Sequence, residues 1–180
     1  MAEKTIVLNK ERKVTLTSFI CHKKETPAIL ILPGGAYNEC SINEGRPVAE
    51  KFNSLGFNCF VLYYSLGEKA EFPRPLQDVS LAIAHIKRHA AEYNVDPERI
   101  FVCGFSAGGH LAASAGVFWN DKEAAFEGME PGENKPAGMV LCYGVLSLCE
   151  HTHIESCRYV TGREEPTEAQ CTRVGLPISI

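Results

Sequence analysis

The sequence predicts an α/β fold in which a mostly parallel sheet is flanked by helices. Continuous apolar runs recur along the chain, as in Ala28-Ile29-Leu30-Ile31-Leu32, and such runs suit strands buried on both faces of a parallel sheet. Between them stands amphipathic helical spacing, clearest at Leu76, Val79, Ile83, Ile86 and Ala90, in steps of 3, 4, 3 and 4. Strands that alternate with helices belong to this class.

Taken in order, Val14-Thr15-Leu16-Thr17-Ser18-Phe19-Ile20 is rich in strand formers, and residues 5–8 are expected to pair near it. The apolar run at 28–32 is the next strand, and Pro33-Gly34-Gly35-Ala36-Tyr37 breaks it. Val48, Phe52 and Leu55 recur at helical spacing, and Gly56 ends that helix. Residues 57–64 read as a buried strand, after which Pro73 and Pro75 precede the long helix. Asn94-Val95-Asp96-Pro97-Glu98 carries turn chemistry. Arg99-Ile100-Phe101-Val102-Cys103 is a strand, and Gly109-His110-Leu111-Ala112-Ala113-Ser114-Ala115 is a helix. Residues 119–136 are polar, with Gly128, Pro131 and Gly132, and are expected to form a surface loop or partial lid. Residues 137–144 are a further strand. Beyond Gly144 the pattern fades: 161–168 are polar and 171–180 form no predicted element. With no repeat, low-complexity tract or linker, residues 1–180 read as a single domain.

Composition narrows the function. The chain has 180 residues, 45% hydrophobic and 22% charged, as expected of an ordinary globular domain. Its net charge of −4 argues against nucleic-acid binding, whose footprint is basic. No apolar run reaches bilayer length, and the charged start does not resemble a signal peptide, so a cytoplasmic protein without a membrane partner is expected. Eight cysteines occur without a C-x-x-C pair. Cys59, Cys103 and Cys142 sit in apolar runs, and reduced thiols acting as small hydrophobes are expected.

Gly104-Phe105-Ser106-Ala107-Gly108 carries the chemistry. Strand, G-x-S-x-G, helix is the context of a nucleophile elbow, where a serine on a sharp turn is exposed at a helix N-terminus. Ser106 is the candidate nucleophile. Pro33-Gly34-Gly35-Ala36-Tyr37 follows an earlier strand, and its glycines let backbone approach a substrate closely. The N–H groups of Gly35, Ala36 and Ala107 are the candidate oxyanion donors.

These motifs resemble those of the α/β-hydrolase superfamily, and within it the small acetyl-esterase and acetyl-xylan-esterase-like carboxylesterases. Pro33-Gly34-Gly35-Ala36-Tyr37 is similar to their His-Gly-Gly-Gly or Pro-Gly-Gly-Gly-Tyr motif. Phe72-Pro73-Arg74-Pro75-Leu76-Gln77-Asp78-Val79 resembles their Pro-x-x-x-x-Asp helix start. Val95-Asp96-Pro97-Glu98-Arg99-Ile100 and Gly104-Phe105-Ser106-Ala107-Gly108-Gly109-His110-Leu111-Ala112 match closely, and the likeness runs from about residue 26 to about 165. It implies hydrolysis of short-chain acyl esters, acetyl esters among them, with a small-molecule ester as substrate and no metal or organic cofactor. It also implies that His110 packs within the motif.

One departure is plain. The superfamily's triad runs Ser, then Asp or Glu, then His. Only 74 residues follow Ser106, with one predicted strand among them, so the terminal strands that carry the acid and histidine are expected to be absent. A premature stop or shifted reading frame would give such a tail, and the downstream coding DNA read in three frames would test this. The alternative function is therefore a truncated, catalytically impaired hydrolase that at most binds a ligand or partner, with self-association through an exposed sheet edge.

His151 and His153, beside Glu150, are the histidines that could supply a base, which must come within about 3 Å of the hydroxyl. His22, His85 and His89 are expected at the surface or an interface. Cys149, His151, His153 and Cys157 have ligand chemistry but match no familiar zinc spacing, so no metal site is expected. Asp78 is expected to orient a loop or cap backbone near its helix start.

Overall fold

The computed structural model describes residues 2–21, 25–148 and 153–174. Among these described residues six strands form one mixed sheet: β1 (Ala2–Asn9), β2 (Val14–Ile20), β3 (Thr26–Leu32), β4 (Asn58–Tyr63), β5 (Val95–Phe105) and β6 (Gly138–Cys142), in the order β1-β2-β4-β3-β5-β6. β1 and β2 form an antiparallel hairpin that pairs antiparallel with β4, while β4, β3, β5 and β6 run parallel. This is the predicted α/β architecture.

The helices α1 (Arg46–Ser54), α2 (Arg74–Arg88) and α3 (Ala107–Val117) cover the two faces of the sheet. Leu30, Leu32, Phe60, Leu62 and Val102 pack in one core with Leu76, Val79, Ile83 and Ile86 of α2 and Leu111, Ala112 and Ala115 of α3. Ile29, Ile31, Cys59, Val61 and Cys103 point to the other face, where Val48, Ala49 and Phe52 of α1 pack. Alternate side chains of a strand enter opposite cores, so the central strands read as continuous apolar runs.

Residues 95–98 of the predicted turn lie inside β5, and Asn94 precedes it. The β3–β5 register jumps from Thr26↔Val95 to Ala28↔Ile100, and Asp96 caps the resulting bulge by accepting the Glu98 N–H at 3.0 Å and Arg99 Nε at 2.6 Å. The 119–136 loop does not act as a lid. It runs from the end of α3 to the start of β6, at the opposite end of the sheet from Ser106, and is tied to α2. Arg88 pairs with Glu133 at 2.5 Å, Lys87 donates to the Lys135 carbonyl at 3.0 Å, and Asn134 donates to Ser80 Oγ at 3.1 Å. The faded C-terminal pattern contains two short helices, α4 (Ile154–Thr161) and α5 (Glu168–Val174).

Asp78 does orient a loop. Fully buried on α2, it accepts the Ser65 N–H at 2.9 Å and the Ser65 hydroxyl at 2.5 Å, and pairs with Arg12 of the β1–β2 turn at 2.5 Å. Burial pushes its carboxyl above the usual range, against the opposing pull of Ser65 and Arg12.

The two sheet edges differ. β1 carries Glu3 and Lys4, whereas β6 carries no charge, and Met139, Val140 and Leu141 are 42%, 49% and 39% exposed. Cys21, Cys40, Cys59, Cys103, Cys142 and Cys157 are free thiols, but Cys171 is disulfide-bonded, so the expectation of uniformly reduced cysteines fails there. Among the described residues no helix is long and apolar enough to cross a membrane.

Candidate active site

Ser106 joins β5 to α3 with φ 51° and ψ −117°, a conformation that costs a side-chain-bearing residue energy and persists only where its surroundings enforce it. The flanking glycines explain how the turn closes so tightly. A Cβ on Gly104 would stand 2.0 Å from the Gly108 carbonyl oxygen, and one on Gly108 would stand 2.0 Å from the Leu32 carbonyl oxygen. Gly109 lies against Gly144, where a Cβ would come within 2.8 Å of its Cα. The serine backbone is pinned from both sides: its N–H donates to the Cys142 carbonyl at 2.9 Å, and its carbonyl accepts from the His110 N–H at 3.1 Å. No hydrogen bond joins its side-chain hydroxyl to a described residue.

The loop after β3 packs directly on this turn. A Cβ on Gly34 would lie 2.7 Å from the Phe105 carbonyl oxygen and 2.9 Å from Ser106 Cβ. Gly35, Ala36 and Tyr37 follow with φ of 132°, 56° and 63°, three successive residues in the left-handed region. Such a run needs outside support. Tyr64 donates its hydroxyl to the Pro33 carbonyl at 2.5 Å, and the N–H groups of Ser41 and Gly67 donate to the carbonyls of Gly34 and Tyr37, each at 2.8 Å. The N–H groups of Gly35, Ala36 and Ala107 donate to no described residue. The fold thus gathers all four residues singled out from the sequence at the C-terminal end of β3 and β5.

Glu44 and Tyr143 complete the rim. Glu44 accepts the Gly34 N–H at 2.7 Å through Oε2 and the Tyr143 hydroxyl at 2.7 Å through Oε1. Tyr143 is 68% exposed, with φ 40°, and the carboxylate pushes its phenol up to about 12. Sequence reasoning missed this pair, which no local motif announces.

His110 is buried, with Nδ1 2.7 Å from the Tyr37 hydroxyl and Nε2 2.9 Å from the Val174 carbonyl. A carbonyl only accepts, so Nε2 carries the proton and Tyr37 donates to Nδ1. Both ring nitrogens are engaged away from the serine, and burial lowers the imidazole pKa. His153 caps α4, its Nδ1 accepting the Ser156 N–H at 3.3 Å. His85 of α2 and His89, which caps that helix, stack at 4.1 Å, with His85 Nε2 3.1 Å from the Tyr93 hydroxyl. His22, Cys149, Glu150 and His151 lie outside the described residues. Among the described residues no group of His, Cys, Asp and Glu could hold a metal, and Cys157 is buried against Thr161 in α4.

The BD-FAE family model matches residues 20–170 of the chain. Endo-1,4-beta-xylanase B of Butyrivibrio fibrisolvens is 33% identical over 151 residues, 82% of this chain and 24% of its own length. An acetylxylan esterase of Xylanibacter ruminicola is 29% identical over 162 residues, 89% of this chain and 31% of its own. The crystal structure of an acetyl ester-xyloside bifunctional hydrolase from Caldicellulosiruptor lactoaceticus superposes with a TM-score of 0.83 at 32% identity, covering 95% of this chain and 67% of that one. The chain spans about a quarter to a third of the length of these two curated relatives.

Proposed function

The chain belongs to the BD-FAE family and to a carboxylic ester hydrolase lineage, and from that premise we propose that it is a serine carboxylesterase acting on short-chain acyl esters, acetyl esters foremost. In this reading Ser106 Oγ attacks the acyl carbonyl carbon, the alcohol leaves, and water releases the acid from the acyl-serine. The carbonyl oxygen gains negative charge in each step, and the N–H groups of Gly35, Ala36 and Ala107 receive it. The single observation that most supports this is the strained Ser106 turn lying against backbone N–H groups that donate to no described residue. Backbone donors fixed in advance need no reorganisation as the charge develops. The Ser106 proton must pass to a base, a role that the engaged nitrogens of His110 do not fill. Acyl transfer of this type uses no metal or organic cofactor. Acetylated xylan-type sugars are the substrate class suggested by the names of the relatives.

The test is hydrolysis of p-nitrophenyl acetate at mildly alkaline pH beside Ser106→Ala. Serine-dependent turnover supports the reading, and equal near-background rates sink it.

A second reading is binding of an ester or a partner without turnover. It is favoured by the absence of a hydrogen bond to Ser106 Oγ among the described residues. In that case the uncharged, exposed β6 edge would let two copies associate. Size-exclusion chromatography that returned only monomer across a range of concentrations would remove the self-association.

A further inference from the structure

We propose that Glu44 is a positioning residue of the Ser106 site: its carboxylate holds the Gly34 N–H, so that the next two N–H groups of the loop stay available to the substrate. The inference rests on the esterase reading above.

The strand order carries the argument. β3, β5 and β6 are adjacent, in that order, and parallel, so their C-terminal ends open on one rim of the sheet. Gly34 follows β3, Ser106 follows β5 and Tyr143 follows β6. Glu44 bonds the first at 2.7 Å and the last at 2.7 Å, so one side chain bridges the loops on either side of the serine. It also lies close beside it. The point where a Gly34 Cβ would stand is 2.8 Å from Glu44 Oε2 and 2.9 Å from Ser106 Cβ.

The loop presents three N–H groups in succession, on Gly34, Gly35 and Ala36. Glu44 takes the first, while the Ser41 N–H takes the Gly34 carbonyl at 2.8 Å. The Gly34 residue is therefore held on both sides, and the left-handed residues after it start from a fixed point. Charge-assisted hydrogen bonds of this length are among the stronger ones a loop can make. Oxyanion donors need such support, because a site held about 1 Å too loosely loses its effect.

A carboxylate beside a developing oxyanion would repel it if left bare. Here each oxygen faces a donor. The Tyr143 phenol, held up near 12 by the same carboxylate, keeps its proton at working pH.

The experiment compares Glu44→Ala and Glu44→Gln with the unaltered chain by two measurements. The first is amide hydrogen exchange over residues 34–37. Glu44→Ala is expected to speed exchange at Gly34 about tenfold while β3 keeps its rates, and Glu44→Gln, whose amide oxygen still accepts, retains most of the protection. The second is hydrolysis of p-nitrophenyl acetate. Glu44→Ala is expected to lower kcat about 10²-fold, close to the loss of one oxyanion donor. KM should stay within about threefold, because the lost interaction belongs to the transition state. Glu44→Gln is expected to recover most of kcat. Unchanged Gly34 exchange in Glu44→Ala overturns the proposal, as does a loss of protection spread through the whole sheet, which would mark Glu44 as a general stabiliser. If Ser106→Ala hydrolyses as fast as the unaltered chain, the esterase reading fails, and Gly34 exchange by itself decides whether Glu44 holds the loop.

Discussion

The Tyr37 hydroxyl donates to His110 Nδ1 across 2.7 Å and so joins the loop after β3 to the first turn of α3. The two rings also meet edge to face at 5.9 Å, and both side chains are almost fully buried. His110 passes the connection on to α5 through the Val174 carbonyl. One buried chain of hydrogen bonds therefore ties together the candidate oxyanion loop, the serine turn and the C-terminal helix.

Tyr37→Phe leaves the ring packing in place and strips His110 Nδ1 of its donor. A buried acceptor without a partner costs about 1–3 kcal/mol. Chemical denaturation is expected to show a loss in that range. An unchanged midpoint would mean that the connection contributes nothing to stability.

Asp78→Ala removes the buried carboxylate that holds Arg12 and both polar groups of Ser65. It leaves the buried Ser65 N–H and hydroxyl without their acceptor, and stranding buried polar groups costs about 1–3 kcal/mol each, so this should be among the more damaging single changes in the chain. Asp96→Ala, at the exposed Arg99 pair, is expected to be mild by comparison. Equal unfolding midpoints for the two variants would contradict this account of Asp78.

Acid should destabilise the protein through its histidines. Burial lowers the His85 pKa to about 4, with His89, Lys4 and Arg88 pushing the same way and Glu92 opposing, and burial also lowers His110. Unfolded histidine titrates near 6.5. Above that pH both states hold neutral rings and no penalty arises. As pH falls from about 6.5 towards 4, the unfolded state takes up protons that the folded state refuses, and stability is lost. Melting temperature is expected to drop across this window, with a shallower drop in His85→Gln. An equally steep drop in that variant would show that His85 is not a contributor.

What the sequence made legible follows from how far each signal reaches along the chain. Leu30, Leu32, Phe60 and Leu62 fill one core while Ile29, Ile31, Cys59 and Val61 fill the other, so both burial directions are written in short apolar runs. The serine turn is equally local, because Gly104 and Gly108 are dictated by close contacts around Ser106. The Glu44 contacts are different. They join residues 10 and 99 positions apart, and only the strand order brings those residues together. α4 and α5 escaped notice for another reason. They are 8 and 7 residues long, too short for a periodic pattern to stand out, and α4 depends on a His153 cap that resembles a loop histidine in sequence. The bulge in β5 was visible as turn chemistry, but pairing with β3 absorbed it into a strand.

The most direct test of the central claim is to expose the protein to a fluorophosphonate and locate the adduct by mass spectrometry. An activated serine displaces fluoride and keeps the phosphonyl group. One adduct is expected, on Ser106, and none in Ser106→Ala. An unmodified protein, or an adduct on another residue, would contradict the assignment of Ser106 as nucleophile.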